Sequence, residues 1–224
     1  MKFSDNFKEA AQDYLWLLNK NYPHKKILSL VGDRYRLLKS ERNMLYRGIS
    51  STSQASFRKK KLYRMKELQE KTVHVDMLNI IITITSYLEG KPVFLCNDGW
   101  VRDSQEIHAG KVPSHLLRKA LNLMLEFSII QPKMKFIPYI DHKAESGKQI
   151  LKMIDEENER PFEIKVAESA DHILKVLEEG VLATSDGQLI DQTKCKVVDL
   201  AREILEFNFS PEFYNLEKLI SVKE

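Results

Sequence analysis

At 224 residues, with 43% hydrophobic and 30% charged side chains, the chain has the composition of a soluble globular protein long enough for one large or two small domains. Its most apolar stretch, 78–88, is too short and too rich in hydroxyls to cross a membrane, and residues 1–6 lack the apolar run of a signal peptide. Cys96 and Cys195 form neither a disulfide framework nor a zinc ribbon, so a reducing cytoplasm is the expected setting.

The net charge of +3 is unevenly divided: residues 1–72 carry 17 Lys and Arg against 7 Asp and Glu, leaving net −7 for residues 73–224. A basic front half points to an anionic partner, nucleic acid first, with plain solubility as the alternative. Within it, Phe7, Ala10, Ala11, Tyr14, Leu15, Leu17 and Leu18 recur at helical spacing. They predict a helix ending near 19–21, because the residue before Pro23 avoids helical geometry. Pro23 suits the opening of a second helix through Ile27, Leu28, Leu30 and Val31, with Gly32 as its stop. A third is expected from Ser40, as N-cap, to Gly48. Residues 1–49 thus read as a small basic all-helical domain. As a helix-turn-helix it would turn Arg34, Arg36, Lys39, Arg42 and Arg47 toward phosphates and leave Tyr35 and Tyr46 for stacking. As a plain bundle its arginines would be solvated or paired with acids. Residues 50–56 read as a Ser-rich linker. Beyond them, Arg58, Lys59, Lys60 and Lys61 interleave with Phe57, Leu62, Tyr63 and Met65, the pattern of a basic amphipathic helix whose binding to phosphates would be salt-sensitive. Residues 50–72 are therefore expected to be linker plus basic helix.

Residues 73–224 alternate strand-like and helical runs. Strands are predicted at 73–76, 92–96, 135–140, 162–166, 181–184 and 196–198. Helices are predicted at 79–88, 113–130, 147–157, 170–177 and 200–207, with another opening at Gly187. Repeated βα alternation gives an α/β fold, a mostly parallel Rossmann-like sheet with helices on both faces, preceded by the helical N-terminal domain. Such sheets bind ligands at the carboxyl ends of their strands. There Asp76, Asp141 and Asp186 end strands, and Asp171 opens a helix. Strands lie roughly 4.8 Å apart, so neighbouring strand ends can bring carboxylates to one cation. Without a cation they would repel one another and raise each other's pKa. Mg²⁺ or Mn²⁺ would relieve that repulsion, hold a phosphodiester and activate water. Taken singly, Asp76, Asp171 and Asp186 also suit helix caps or dipole partners. His142 and His172 directly follow two of these acids. The Gly-rich loops of dinucleotide and P-loop nucleotide sites are absent from the sequence.

Three short motifs carry a resemblance. Val73-His74-Val75-Asp76-Met77-Leu78-Asn79 resembles the Asp-x-x-Asn opening of PIN/NYN-type ribonuclease domains. Ser169-Ala170-Asp171-His172-Ile173-Leu174 resembles their Ala-Asp-x-x-Ile helix start, and Ala183-Thr184-Ser185-Asp186 their Ala-Thr-Ser-Asp strand end. The motifs occur in the family's order, and the resemblance covers residues 73–205. It implies a PIN-like α/β domain over 73–224 and a metal-dependent nuclease. Asp76, Asp171 and Asp186 would be its catalytic metal ligands, with Asp141 or Asp191 as a fourth acid, Asn79 orienting Asp76 and Ser185 in support. Met77 departs from the small residue usual there, and Asp191 is more distant than the second acid of the commoner Ser-Gly-Asp-x-Asp form. The whole chain also resembles an uncharacterised prokaryotic family, in which a segment like Tyr14 to Gly48 precedes such a domain.

The expectation is a Mg²⁺- or Mn²⁺-dependent nuclease acting on RNA more than DNA. Arg34, Arg36, Arg42, Arg47, Arg58, Lys59, Lys60 and Lys61 would capture the nucleic acid. The alternatives are an inactive nucleic-acid-binding module and a helix-turn-helix regulator whose α/β part senses a small ligand.

Overall fold

A computed structural model describes residues 4, 6–104, 113–156 and 163–221. Its elements begin with α1 (Phe7–Asn19), α2 (His24–Arg34), α3 (Lys39–Gly48), α4 (Thr52–Lys59), β1 (Leu62–Tyr63), β2 (Thr72–Asp76) and α5 (Met77–Leu88). There follow β3 (Val93–Leu95), β4 (Val101–Asp103), α6 (Ser114–Ile129), β5 (Lys135–Asp141), α7 (Glu145–Asp155), β6 (Lys165–Ala167) and α8 (Ala170–Lys175). The last are β7 (Val181–Ala183), α9 (Gly187–Gln192), β8 (Lys196–Val198), α10 (Leu200–Phe209), β9 (Tyr214–Asn215) and α11 (Leu216–Ile220). The chain divides into two compact units. One comprises Met1–Lys60, Gly90–Glu106 and Glu212–Glu224, the other Lys61–Glu89 and Ile107–Pro211.

The second unit is an α/β fold built on a six-stranded sheet in the order β1-β8-β7-β2-β5-β6, every pairing parallel. Its central strands are nearly continuous apolar runs, as burial beneath flanking helices requires. Helix α5, buried from Met77 to Ser86, packs against α6 and α10, while α8 lies against β2 and β5. From β2 the chain steps to β5 and β6 on one side, then returns to β7 and β8 on the other. The strand order therefore reverses between β2 and β7, and the crevice at their carboxyl ends is where open α/β sheets take ligands.

In the first unit, α1, α2 and α3 bury Phe7, Tyr14, Ile27, Met44 and Leu45 in one core with Phe94 and Leu216. The N-terminal helical region is as expected. The same unit holds a three-stranded sheet, β4-β3-β9, that the sequence did not disclose. It also encloses an ion cluster: Asp98 receives Arg102 through two bonds of 3.0 and 2.9 Å and Arg58 at 2.8 Å. Burial alone would raise the Asp98 carboxyl, but Arg102 and then Arg58, by charge and hydrogen bonding, hold it below its usual range.

Several local expectations are corrected. Gly32 lies inside α2 rather than ending it, because the Arg42 guanidinium occupies the space a Cβ would need. The Ser-rich stretch is largely helix: Ser51 Oγ accepts the Gln54 N–H, and Asn19 exchanges two hydrogen bonds with Thr52. The expected basic helix over Phe57–Lys66 breaks after Lys59. There Leu62 and Tyr63 pair with Val197 and Val198 as an edge strand, and Lys61 Nζ donates to the carbonyls of Ile190 and Thr193 at 2.8 and 2.6 Å. Strand pairing and the carbonyls at the end of α9 outbid one more helical turn. The strand expected over 162–166 falls on Lys165–Ala167, and its first residue lies outside the described residues.

Candidate functional site

The residues expected at the sheet edge meet at the β2–β7 crevice. Asp76 is the last residue of β2 and only 6% exposed. Its Oδ2 accepts the Thr184 hydroxyl at 2.8 Å. Burial is the main force on this carboxyl and raises it; the Thr184 bond opposes, and Asp171 and Asp186 raise it again, to about 7. Asp76 is thus an acid whose ionisation the fold resists, in a place where nothing positive offsets it.

Thr184 ties the site together, since its Oγ1 also accepts the Asp186 backbone N–H at 3.1 Å. Asn79, in the first turn of α5, locks the end of β7: its Oδ1 accepts from Ser185 N at 2.8 Å and from Ser185 Oγ at 2.9 Å. Its side chain therefore holds Ser185, and it acts on Asp76 through its backbone N–H. Thr184 orients Asp76, a role the strand-end motif contained without marking the residue out. A hydroxyl there looks like any polar strand terminus until its partner, 108 positions away, is known.

Asp186 caps α9, its Oδ1 accepting from Gln188 N at 2.7 Å and Leu189 N at 2.9 Å. Asp171 opens α8, whose cap is Ser169. Partial burial raises the Asp171 carboxyl, Asp186 raises it further, Lys175 pulls it down, and Asp141 adds a smaller upward push. Asp141, at the end of β5, accepts the Lys143 N–H at 2.7 Å. Of the two acids expected to complete the set, Asp141 acts on Asp171, whereas the charge of Asp191 acts on Lys61. His142 Nδ1 lies 2.8 Å from the Ala167 carbonyl, and His172 is exposed. Met77 is fully buried.

Among the described residues, no three His, Cys, Asp or Glu side chains converge tightly enough to enclose a metal ion. The donor chemistry fits a hydrated hard cation instead. Mg²⁺ keeps several waters and takes one or two carboxylates rather than an all-protein cage, and Asp76 with Asp171 and Asp186 supplies oxygen donors and uncompensated negative charge.

The basic residues expected to hold nucleic acid are mostly engaged within the protein. Arg58 is buried on Asp98 and Ser50. Arg47 pairs with Asp103 at 3.4 Å and Arg42 with Asp33 at 2.8 Å. Lys59 bonds Glu217, and Lys61 bonds the end of α9. Arg34 lies against the Tyr35 ring, while Arg36 and Lys60 are exposed.

The chain is similar to Uncharacterized protein MJ0935 of Methanocaldococcus jannaschii, 28% identical over 206 residues that span 90% of this chain and 98% of the relative. No solved structure matches it. Residues 6–61 match the model of a family described as Protein of unknown function (DUF434). The model described as Domain of unknown function (DUF5616) matches residues 65–203, more than half of the chain, which therefore belongs to that family.

Proposed function

We propose that the chain is a divalent-cation-dependent phosphodiester hydrolase acting on nucleic acid, RNA before DNA. Its Mg²⁺ or Mn²⁺ would be held by Asp76, Asp171 and Asp186, with Asp141 at the side of the site. The observation that carries this reading is the Asp76 carboxyl, buried at the strand-order reversal and pushed up to about 7 beside two further acids. Acids that only cap helices gain nothing from being grouped so that each hinders the ionisation of the others. A site that receives a cation does, because the cation turns the repulsion into binding. When bound, a hard divalent ion supplies neutralisation of phosphoryl charge and a water of lowered pKa. The chain's own residues do the positioning. Thr184 fixes one oxygen of Asp76, the α9 N–H groups fix Asp186, and Asn79 with Ser185 joins the two elements that carry them. The motif resemblance to PIN/NYN ribonuclease domains supports the same assignment.

The test is cleavage of single-stranded RNA, with single-stranded DNA in parallel, in Mg²⁺, in Mn²⁺ and in EDTA. Cleavage is expected with either ion, absent in EDTA, and reduced to background in Asp76→Asn. Failure of both substrates with both ions, together with no Mn²⁺ binding at equilibrium, would overturn the reading.

A further inference from the structure

The amino-terminal rim of the same sheet, opposite the acids, carries a cleft of about 430 Å³. Sites for small organic ligands run from roughly 300 to 1,000 Å³, well above what a bare phosphate fills. The cleft is lined by Thr72 and His74 of β2, by Tyr63 of β1, by Lys196 of β8, and by Lys71 and Gly180. Two features make it more than a gap between strand ends. Lys196 Nζ lies 5.6 Å from the centre of the Tyr63 ring, so a cation and an aromatic face are presented together. His74 is anchored through Nδ1 to the Tyr139 hydroxyl at 3.1 Å. Its Nε2 borders Gly180, where a Cβ would come within 2.9 Å of that nitrogen. Gly180 also has φ +85°, so both its conformation and the imidazole beside it favour a residue without a side chain.

Two ammonium groups, a phenol ring and a held imidazole match a ligand with a phosphate and a flat heterocycle. We propose that this rim cleft binds a nucleoside phosphate, its phosphate between Lys71 and Lys196 and its base against Tyr63 and His74. Glu179, also in the lining, is suited to accept hydrogen bonds from ribose hydroxyls. The ligand is either a free mononucleotide or one unit of a single strand. The proposal needs neither a cation nor cleavage, so it stands apart from the acid site.

The experiment uses the full chain carrying Asp76→Asn, in EDTA, so that hydrolysis cannot consume the probe. Anisotropy of a fluorescent oligoadenylate is followed with AMP, adenosine and inorganic phosphate as competitors. Binding is expected, with AMP displacing the probe better than adenosine or phosphate alone. Displacement by AMP at its own measured affinity assigns the site to free nucleotides, whereas displacement only by unlabelled oligoadenylate assigns it to a strand. Replacing both lysines, Lys71→Gln with Lys196→Gln, should weaken oligonucleotide binding and flatten its salt dependence by about 1.4 in log–log slope, from about 0.7 per lost contact to a single strand. Tyr63→Leu should weaken it roughly tenfold through lost stacking. Phosphate competing as well as AMP, or the double lysine variant binding unchanged, would overturn the proposal. Because the lysines are exposed, their replacement tests it even if Tyr63→Leu fails to fold.

Discussion

Burying a carboxylate costs stability unless something offsets its charge, and Asp76 has only the Thr184 hydroxyl and the Asn79 N–H for the purpose. The cost has a definite pH dependence. The folded carboxyl binds its proton up to about pH 7, while the unfolded one releases it near its model value of 3.8. Between those values the folded state holds more protons than the unfolded one, so stability falls as pH rises through that window. In the absence of divalent ions, Asp76→Asn should stabilise the protein at pH 8 by up to about 4 kcal/mol, at about 1.4 per pKa unit, and change little at pH 4. Urea melts at the two pH values check this, and an equal effect at both would show that the carboxyl is not perturbed. Asp76, Asp171 and Asp186 could be picked out of the sequence because an acid at a strand end or in a first helical turn leaves a local trace. Thr184 could not, since its importance comes from a partner in another strand.

Asp186 has two roles on the page, a cap for α9 and a member of the acid group, and substitution can separate them. Asn caps as well as Asp, so Asp186→Asn should leave stability within about 0.5 kcal/mol of the parent, while Asp186→Ala should cost about 1 kcal/mol. If the acid serves the proposed chemistry, both variants lose cleavage alike. If it is only a cap, Asp186→Asn keeps full activity. Thermal or urea denaturation run beside the RNA assay gives both readings from the same samples. The elements themselves were legible in proportion to their length and burial. The long apolar run of α5 and the buried strands β2, β5 and β7 announced themselves by composition. The two-residue strands β1 and β9 did not, because each is defined by the neighbour it pairs with and is too short to show a period.

Across the whole molecule, the excess of positive charge in residues 1–72 is a poor guide to where an anion would bind. Arg58 meets Asp98 from 40 positions away, and Lys59 meets Glu217 from 158, so the basic run is consumed by partners no local reading could see. The Asp98 cluster makes this testable. Asp98→Asn leaves Arg58 and Arg102 buried without a counter-charge and should destabilise the unit that holds them by about 3–5 kcal/mol. Calorimetry would register this as an earlier transition, and an unchanged trace would show that the cluster contributes little. The three-segment make-up of that unit has one more consequence, which concerns time. Translation delivers the last residue of the α/β unit at Pro211, but Leu216 and Ile220, which belong to the core around α1, come only afterwards. The helices made first must therefore wait for nearly the whole chain before their own core is complete, and the unit begun second is the first able to close.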